Sequence, residues 1–117
     1  MSRLYNILDS MVETKESLAT GMTIYRRGKH RRLVFTNYAV PATYPTLANG
    51  DRPSSTARGA GLRRTSNLYS AALAAINVNT DGSLNFYYFF TYNASGAGAS
   101  ICGTGDLLIA TVEWDVA

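Results

Sequence analysis

Ala71-Ala-Leu-Ala-Ala-Ile-Asn-Val-Asn-Thr-Asp-Gly-Ser-Leu-Asn-Phe-Tyr-Tyr-Phe-Phe-Thr-Tyr92 is the stretch whose reading decides the fold. Its centre, Asn79-Thr80-Asp81-Gly82, is turn chemistry: Asn and Asp bond their own backbone, and Gly accepts a positive φ without steric cost. The flanks favour strands, which predicts a β-hairpin. A two-residue Asp81-Gly82 loop sets Ile76 opposite Tyr87 and Val78 opposite Asn85. A three-residue loop, Thr80 to Gly82 with Gly82 left-handed, instead sets Val78 opposite Leu84, Ile76 opposite Phe86, Ala74 opposite Tyr88 and Ala72 opposite Phe90. Only the second register gathers all eight side chains on one face, so it is the one expected. The other face is polar near the turn, at Asn77 and Asn85, but carries Leu73, Ala75, Tyr87 and Phe89 farther along. A sheet with one wet face alternates throughout. The far half therefore needs cover, from this chain or from another copy of it.

Working outward, 117 residues with 46% hydrophobic content specify one globular domain. No apolar run approaches the roughly 20 residues of a membrane span, and the N-terminus has no signal-peptide pattern. The single cysteine, Cys102, excludes an internal disulfide and fits a reducing compartment. The net charge of +3 is unevenly spread. The segment Arg26–Arg64 holds nine of the eleven basic residues and one of the eight acidic ones, Asp51.

Ser2 to about residue 16 is the one helical candidate, with Leu4, Leu8, Met11 and Val12 at three- and four-residue steps. Residues 1–18 are accordingly expected as an N-terminal attachment or oligomerisation helix, and 19–117 as the β-domain. From Thr20 the period becomes two. Met22–Tyr25 alternates, Arg26–Lys29 turns, and Arg31–Tyr38 returns with Leu33 and Phe35 on one face and Val34, Thr36 and Tyr38 on the other. Residues 39–61 contain all three prolines and read as a long ordered loop. Ser55–Arg58 and Leu62–Tyr69 are expected as short strands, Ala94–Ser100 as a mobile loop, and Asp106–Val116 as a last strand with Leu108, Ala110, Val112, Trp114 and Val116 inward. Seven or eight short strands without interleaved helices predict an all-β antiparallel sandwich or jelly roll.

Catalytic and metal chemistry is sparse. His30 is the only histidine, it sits among basic residues that lower its pKa, and nothing local pairs it with Cys102 as a nucleophile. One His and one Cys fall short of a zinc site. Asp51, Asp81 and Asp106 lie in glycine-containing loops, where a turn role is more economical than calcium ligation. No enzyme and no cofactor are expected. The basic segment with Tyr25, Phe35 and Tyr38 leaves a nucleic-acid-binding barrel as the alternative.

Asn49-Gly50-Asp51-Arg52-Pro53-Ser54-Ser55, then Ile76–Leu84 around Asn79-Thr80-Asp81-Gly82, then a closing strand with Trp114, resembles the C-terminal head domains of bacteriophage tail-fibre and baseplate receptor-binding proteins, over roughly Gly21 to Val116. The resemblance implies a homotrimeric β-sandwich in a virion, made in the bacterial cytoplasm, that binds a host-surface saccharide or other receptor without catalysis. It also implies that Leu73, Tyr87 and Phe89 meet neighbouring subunits, and that other virion proteins dock through the first helix. With only about twenty residues ahead of the sandwich, the chain would be either a piece of a longer fibre or a small virion component; a decoration protein without receptor binding is the further alternative. Saccharide sites pair an aromatic platform with charged hydrogen-bonding groups. The loops richest in both are Tyr44 with Asp51 and Arg52, and Arg63-Arg64 with Asn67 and Tyr69.

Overall fold

The computed structural model describes residues 12–65, 71–92 and 96–116, without the side chains of 90–92 and 96–98. Eight strands form one antiparallel sheet: β1 (Thr14–Ala19), β2 (Met22–Arg27), β3 (His30–Ala39), β4 (Ala57–Arg64), β5 (Ala71–Val78), β6 (Leu84–Tyr92), β7 (Gly96–Ile101) and β8 (Leu107–Asp115). Their order is β1-β2-β3-β8-β4-β5-β6-β7, so the last strand joins two meanders, β1–β3 and β4–β7.

The decisive hairpin adopts the three-residue register. Val78 pairs with Leu84, Ile76 with Phe86 and Ala74 with Tyr88. Gly82 holds φ +84°, and the turn closes through Gly82 N–H to the Asn79 carbonyl and Asn79 N–H to the Ser83 carbonyl, both at 2.9 Å. The Asp81 carboxylate accepts from the Ser83 N–H and hydroxyl. Gly82 has a second duty. Its carbonyl accepts the Leu47 N–H at 2.9 Å, and a Cβ there would lie 2.6 Å from the Leu47 carbonyl oxygen. Only glycine lets the turn hold the long loop this closely.

That loop, Val40–Thr56, takes the place of a second layer over the inner face. Val40, Leu47 and Asp51 are buried, and Tyr44 packs edge-on to Phe86 at 5.0 Å between ring centroids. Beneath them lie Met22, Ile24, Leu33, Phe35, Ile76, Val78, Leu84, Phe86, Leu108 and Val112, all nearly inaccessible. Phe35 on β3 and Phe86 on β6 are four strand steps apart, roughly 19 Å across a flat sheet. Their ring centroids are nevertheless 5.6 Å apart, edge to face, so the sheet curls strongly on itself. The curl centres on β4. Its inward residues Gly59 and Gly61 leave room for the β8 backbone: a Cβ on Gly61 would strike the Ile109 carbonyl oxygen and Ala110, and one on Gly59 the Thr111 carbonyl oxygen and Val112.

Four expectations are corrected. Thr14–Leu18, expected within the N-terminal helix of residues 1–18, belong to strand β1, whereas residues 1–11 lie outside the described residues. Ser55–Arg58 and the described part of Leu62–Tyr69 are not two strands: one continuous β4 runs through both glycines and pairs on each side, with β5 and β8, whereas Ser66–Tyr69 lie outside the described residues. Of Ala94–Ser100, expected as a mobile loop, the described residues Gly96–Ser100 belong to β7, made a strand by its ladder with β6. Tyr38 faces inward, its ring 5.4 Å from that of Phe35. A register shift between Phe35 and Tyr38, with Asn37 at φ +48°, turns the chain over at that point.

Candidate functional site

The described side chains singled out for receptor binding have partners within the chain. Asp51 is 6% exposed and takes three charge-assisted bonds: Arg26 Nε and Arg31 Nε on Oδ1, at 2.8 and 2.7 Å, and Arg26 Nη2 on Oδ2 at 2.7 Å. The hydrogen bonds from Arg26, then those from Arg31, hold its carboxyl below the ordinary aspartate value against burial, which pushes it up. The Trp114 indole N–H donates to the Asp51 carbonyl at 2.8 Å, so one residue ties the loop to β2, β3 and β8. Arg52 donates through Nε to the Leu47 carbonyl at 3.0 Å and braces its own turn. Tyr44 is half-buried on Phe86, and burial raises its phenol pKa.

Arg63 and Arg64 sit on opposite faces of β4. Arg63 points inward, 7% exposed, with its guanidinium 3.7 Å from the Tyr88 ring centroid. Small Ala72 and Ala74 on the intervening β5 leave that path open. Its Nε has no hydrogen-bond partner and lies 3.9 Å from Asp106 Oδ2. Arg64 faces outward and donates from Nη2 to Asn37 Oδ1 at 3.0 Å. Asn67 and Tyr69 lie outside the described residues. Of this second group, the two described residues, Arg63 and Arg64, are therefore not brought to one face. Cys102, buried near Asp106, has its thiol pushed up to about 11, chiefly by burial, and is an inert core group.

The basic β2–β3 tip is largely neutralised within the chain. Arg26 also donates to Glu16 at 2.8 Å. Arg32 reaches Glu13 at 3.1 Å and stacks over Tyr25. His30 lies between Asp115, 3.0 Å from Nδ1, and Glu113, 3.3 Å from Nε2. Those carboxylates, Asp115 first, raise its pKa above 6.5, the reverse of the direction expected from its basic neighbours in sequence. Because β3 pairs with β8, an acidic strand lies beside the basic one. Among the described residues, no cluster of three His, Cys, Asp or Glu side chains could hold a metal, and no helix is long and apolar enough to cross a membrane.

The least explained surface is the outer face of the sheet. Ile109, Leu62 and Leu73 stand in register across β8, β4 and β5. Thr111, Ala60, Ala75, Tyr87 and Ile101 form the next row, from β8 to β7, and Phe89 faces Ala99. Leu62, Leu73, Phe89, Ile101 and Ile109 are 42–66% exposed. The hairpin pattern pointed to Leu73, Tyr87 and Phe89; Leu62, Ile109 and Ile101 join them only once the strand order is known. Comparison of the chain with protein-family models, curated proteins and solved structures finds no match.

Proposed function

We propose that the chain is a non-enzymatic assembly and recognition module: a sandwich-like head domain that forms a homotrimer through the outer face of its sheet and works in a virion, as the resemblance to phage tail-fibre and baseplate heads implies. The observation that carries the reading is the uncharged pair of rows on that face. Exposed apolar area there is on the order of 500 Å², at the upper end of what monomers leave open and the size that marks interaction sites. Covering each large side chain contributes roughly 1.5–3 kcal/mol, enough for a few to dominate association. The curl about β4, which sets Phe35 against Phe86, supports the sandwich description.

The receptor would be a host-surface saccharide or protein. Of the described loop residues expected to touch it, Arg64 faces outward, whereas Asp51, Arg52 and Arg63 serve the interior. The test is Leu73→Glu with Phe89→Glu, both at exposed positions. The double variant should be monomeric with a melting temperature near that of the isolated wild-type subunit. An oligomer unaffected by both charges would place the interface elsewhere.

A further inference from the structure

The opposite edge of the sheet carries a different feature. β1 pairs with β2 on one side, and on the other it meets no strand among the described residues. Beside it lies a cavity of about 220 Å³. Its walls are apolar at Leu18, Met22, Pro45 and Leu47, and its polar end is formed by Glu16 and Arg26. The register explains the placement. Glu16 pairs with Ile24, which is wholly buried, so Glu16 shares the inner face. The shift between Ser17 and Ala19 lets Leu18 pack against the core. The roof, Pro45–Ala48, is held by the bonds of Leu47 to Gly82 and Arg52.

We propose that β1 is a docking edge for an extended peptide, which adds as a further antiparallel strand, seats an aromatic or aliphatic side chain in the cavity and sets a Lys or Arg side chain against Glu16. Strand addition derives affinity from main-chain bonds and specificity from pockets for alternate side chains. Both parts are present here, a row of backbone groups with no partner strand among the described residues and a pocket next to it. The cavity exceeds the roughly 150 Å³ that admits a benzene ring.

Charge decides the second position. Both Asp51 oxygens are taken by Arg26 and Arg31, and the Arg26 guanidinium is already shared between Asp51 and Glu16. Glu16 is 56% exposed and receives its hydrogen bond on Oε1 alone, so its carboxylate has capacity for another donor. The residues opposite Leu18 and Glu16 fall two apart on one face of the incoming strand, and in the antiparallel sense they read apolar-x-basic. Lys15 and Glu16, the charges that discourage indiscriminate pairing at this edge, thereby select the partner.

The probe is a fluorescein-labelled nonapeptide, acetyl-Thr-Ser-Val-Thr-Phe-Thr-Lys-Thr-Ser-amide, titrated with the full chain by fluorescence polarisation. Saturable binding is expected, about tenfold weaker when the peptide lysine is glutamate, and abolished when the peptide backbone is N-methylated. Glu16→Lys should reverse the lysine-over-glutamate preference, and Glu16→Gln, which keeps an acceptor for Arg26, should abolish it with a melting temperature near that of wild type. The peptide-side changes keep the test valid even if a protein variant folds poorly. No binding at millimolar peptide, or a charge preference that Glu16→Lys leaves intact, overturns the proposal. A disulfide forming between chains in Ser17→Cys under mild oxidation by air, two thiols giving up two electrons and two protons to oxygen, would also overturn it, by giving the edge to a second copy.

Discussion

Replacing Gly82 with valine sets a β-branched side chain at φ +84° and drives its Cβ against the Leu47 carbonyl oxygen. The strain alone costs about 1–3 kcal/mol, and the turn and the loop anchor fail together. Denaturant unfolding should show that loss. A variant as stable as wild type would mean that the turn can dispense with the left-handed residue. Asp51 and His30 make stability depend on pH in opposite senses. Asp51 titrates below 3.8 in the fold, so its contribution is complete above that value and is lost as pH falls through the folded pKa. His30 titrates above 6.5 in the fold, so its contribution is complete below 6.5 and fades as pH rises through the folded pKa. Thermal melts across pH should show Asp51→Asn destabilised at neutral pH with a flattened acid limb, and His30→Gln without the decline above 6.5. An unchanged acid limb in Asp51→Asn would show that the two arginines do not hold the loop through it. Breaking such a buried pair by removing one partner costs about 3–5 kcal/mol.

At the scale of the elements, β4 is the fold's crease. Gly61→Ala forces a methyl onto Ala110 and the Ile109 carbonyl, and overpacking of this kind costs about 1–3 kcal/mol. A melting temperature equal to wild type would mean that the strands part there without penalty. The same crease shows what a sequence can and cannot carry. The β5–β6 hairpin was legible because its evidence is local, four turn residues and a period of two. The sequence pattern splits β4 in two because Gly59 and Gly61 interrupt it, and the β8 backbone that requires them lies some fifty residues away. Small residues with weak strand preference hid β7, which its ladder with β6 imposes. Tyr38 was set on the wrong face by one irregular residue, Asn37. The candidate site was less legible than the fold. Polar loop residues look the same whether they meet a ligand or an interior partner, and Asp51 meets Arg26 and Arg31 through pairings distant in sequence.

For the whole molecule, the sheet order sets the +3 charge and the apolar surface in different places. Basic β3 lies beside β8, whose Glu113 and Asp115 engage His30, and among the described residues Arg26, Arg31 and Arg32 are also paired with carboxylates, which weakens the cationic stripe that single-stranded nucleic acid follows. Binding to single-stranded RNA at physiological salt is therefore expected to be absent, and a submicromolar dissociation constant would refute that. The uncharged rows on β8, β4, β5, β6 and β7 are the surface on which the proposed trimer rests. Sedimentation equilibrium of the full chain at micromolar concentration tests this most directly. The account predicts a mass of three times 12.7 kDa, 38.1 kDa, falling to 12.7 kDa when Leu73 and Phe89 are both replaced by glutamate. A wild-type mass of 12.7 kDa at every concentration reached would contradict it.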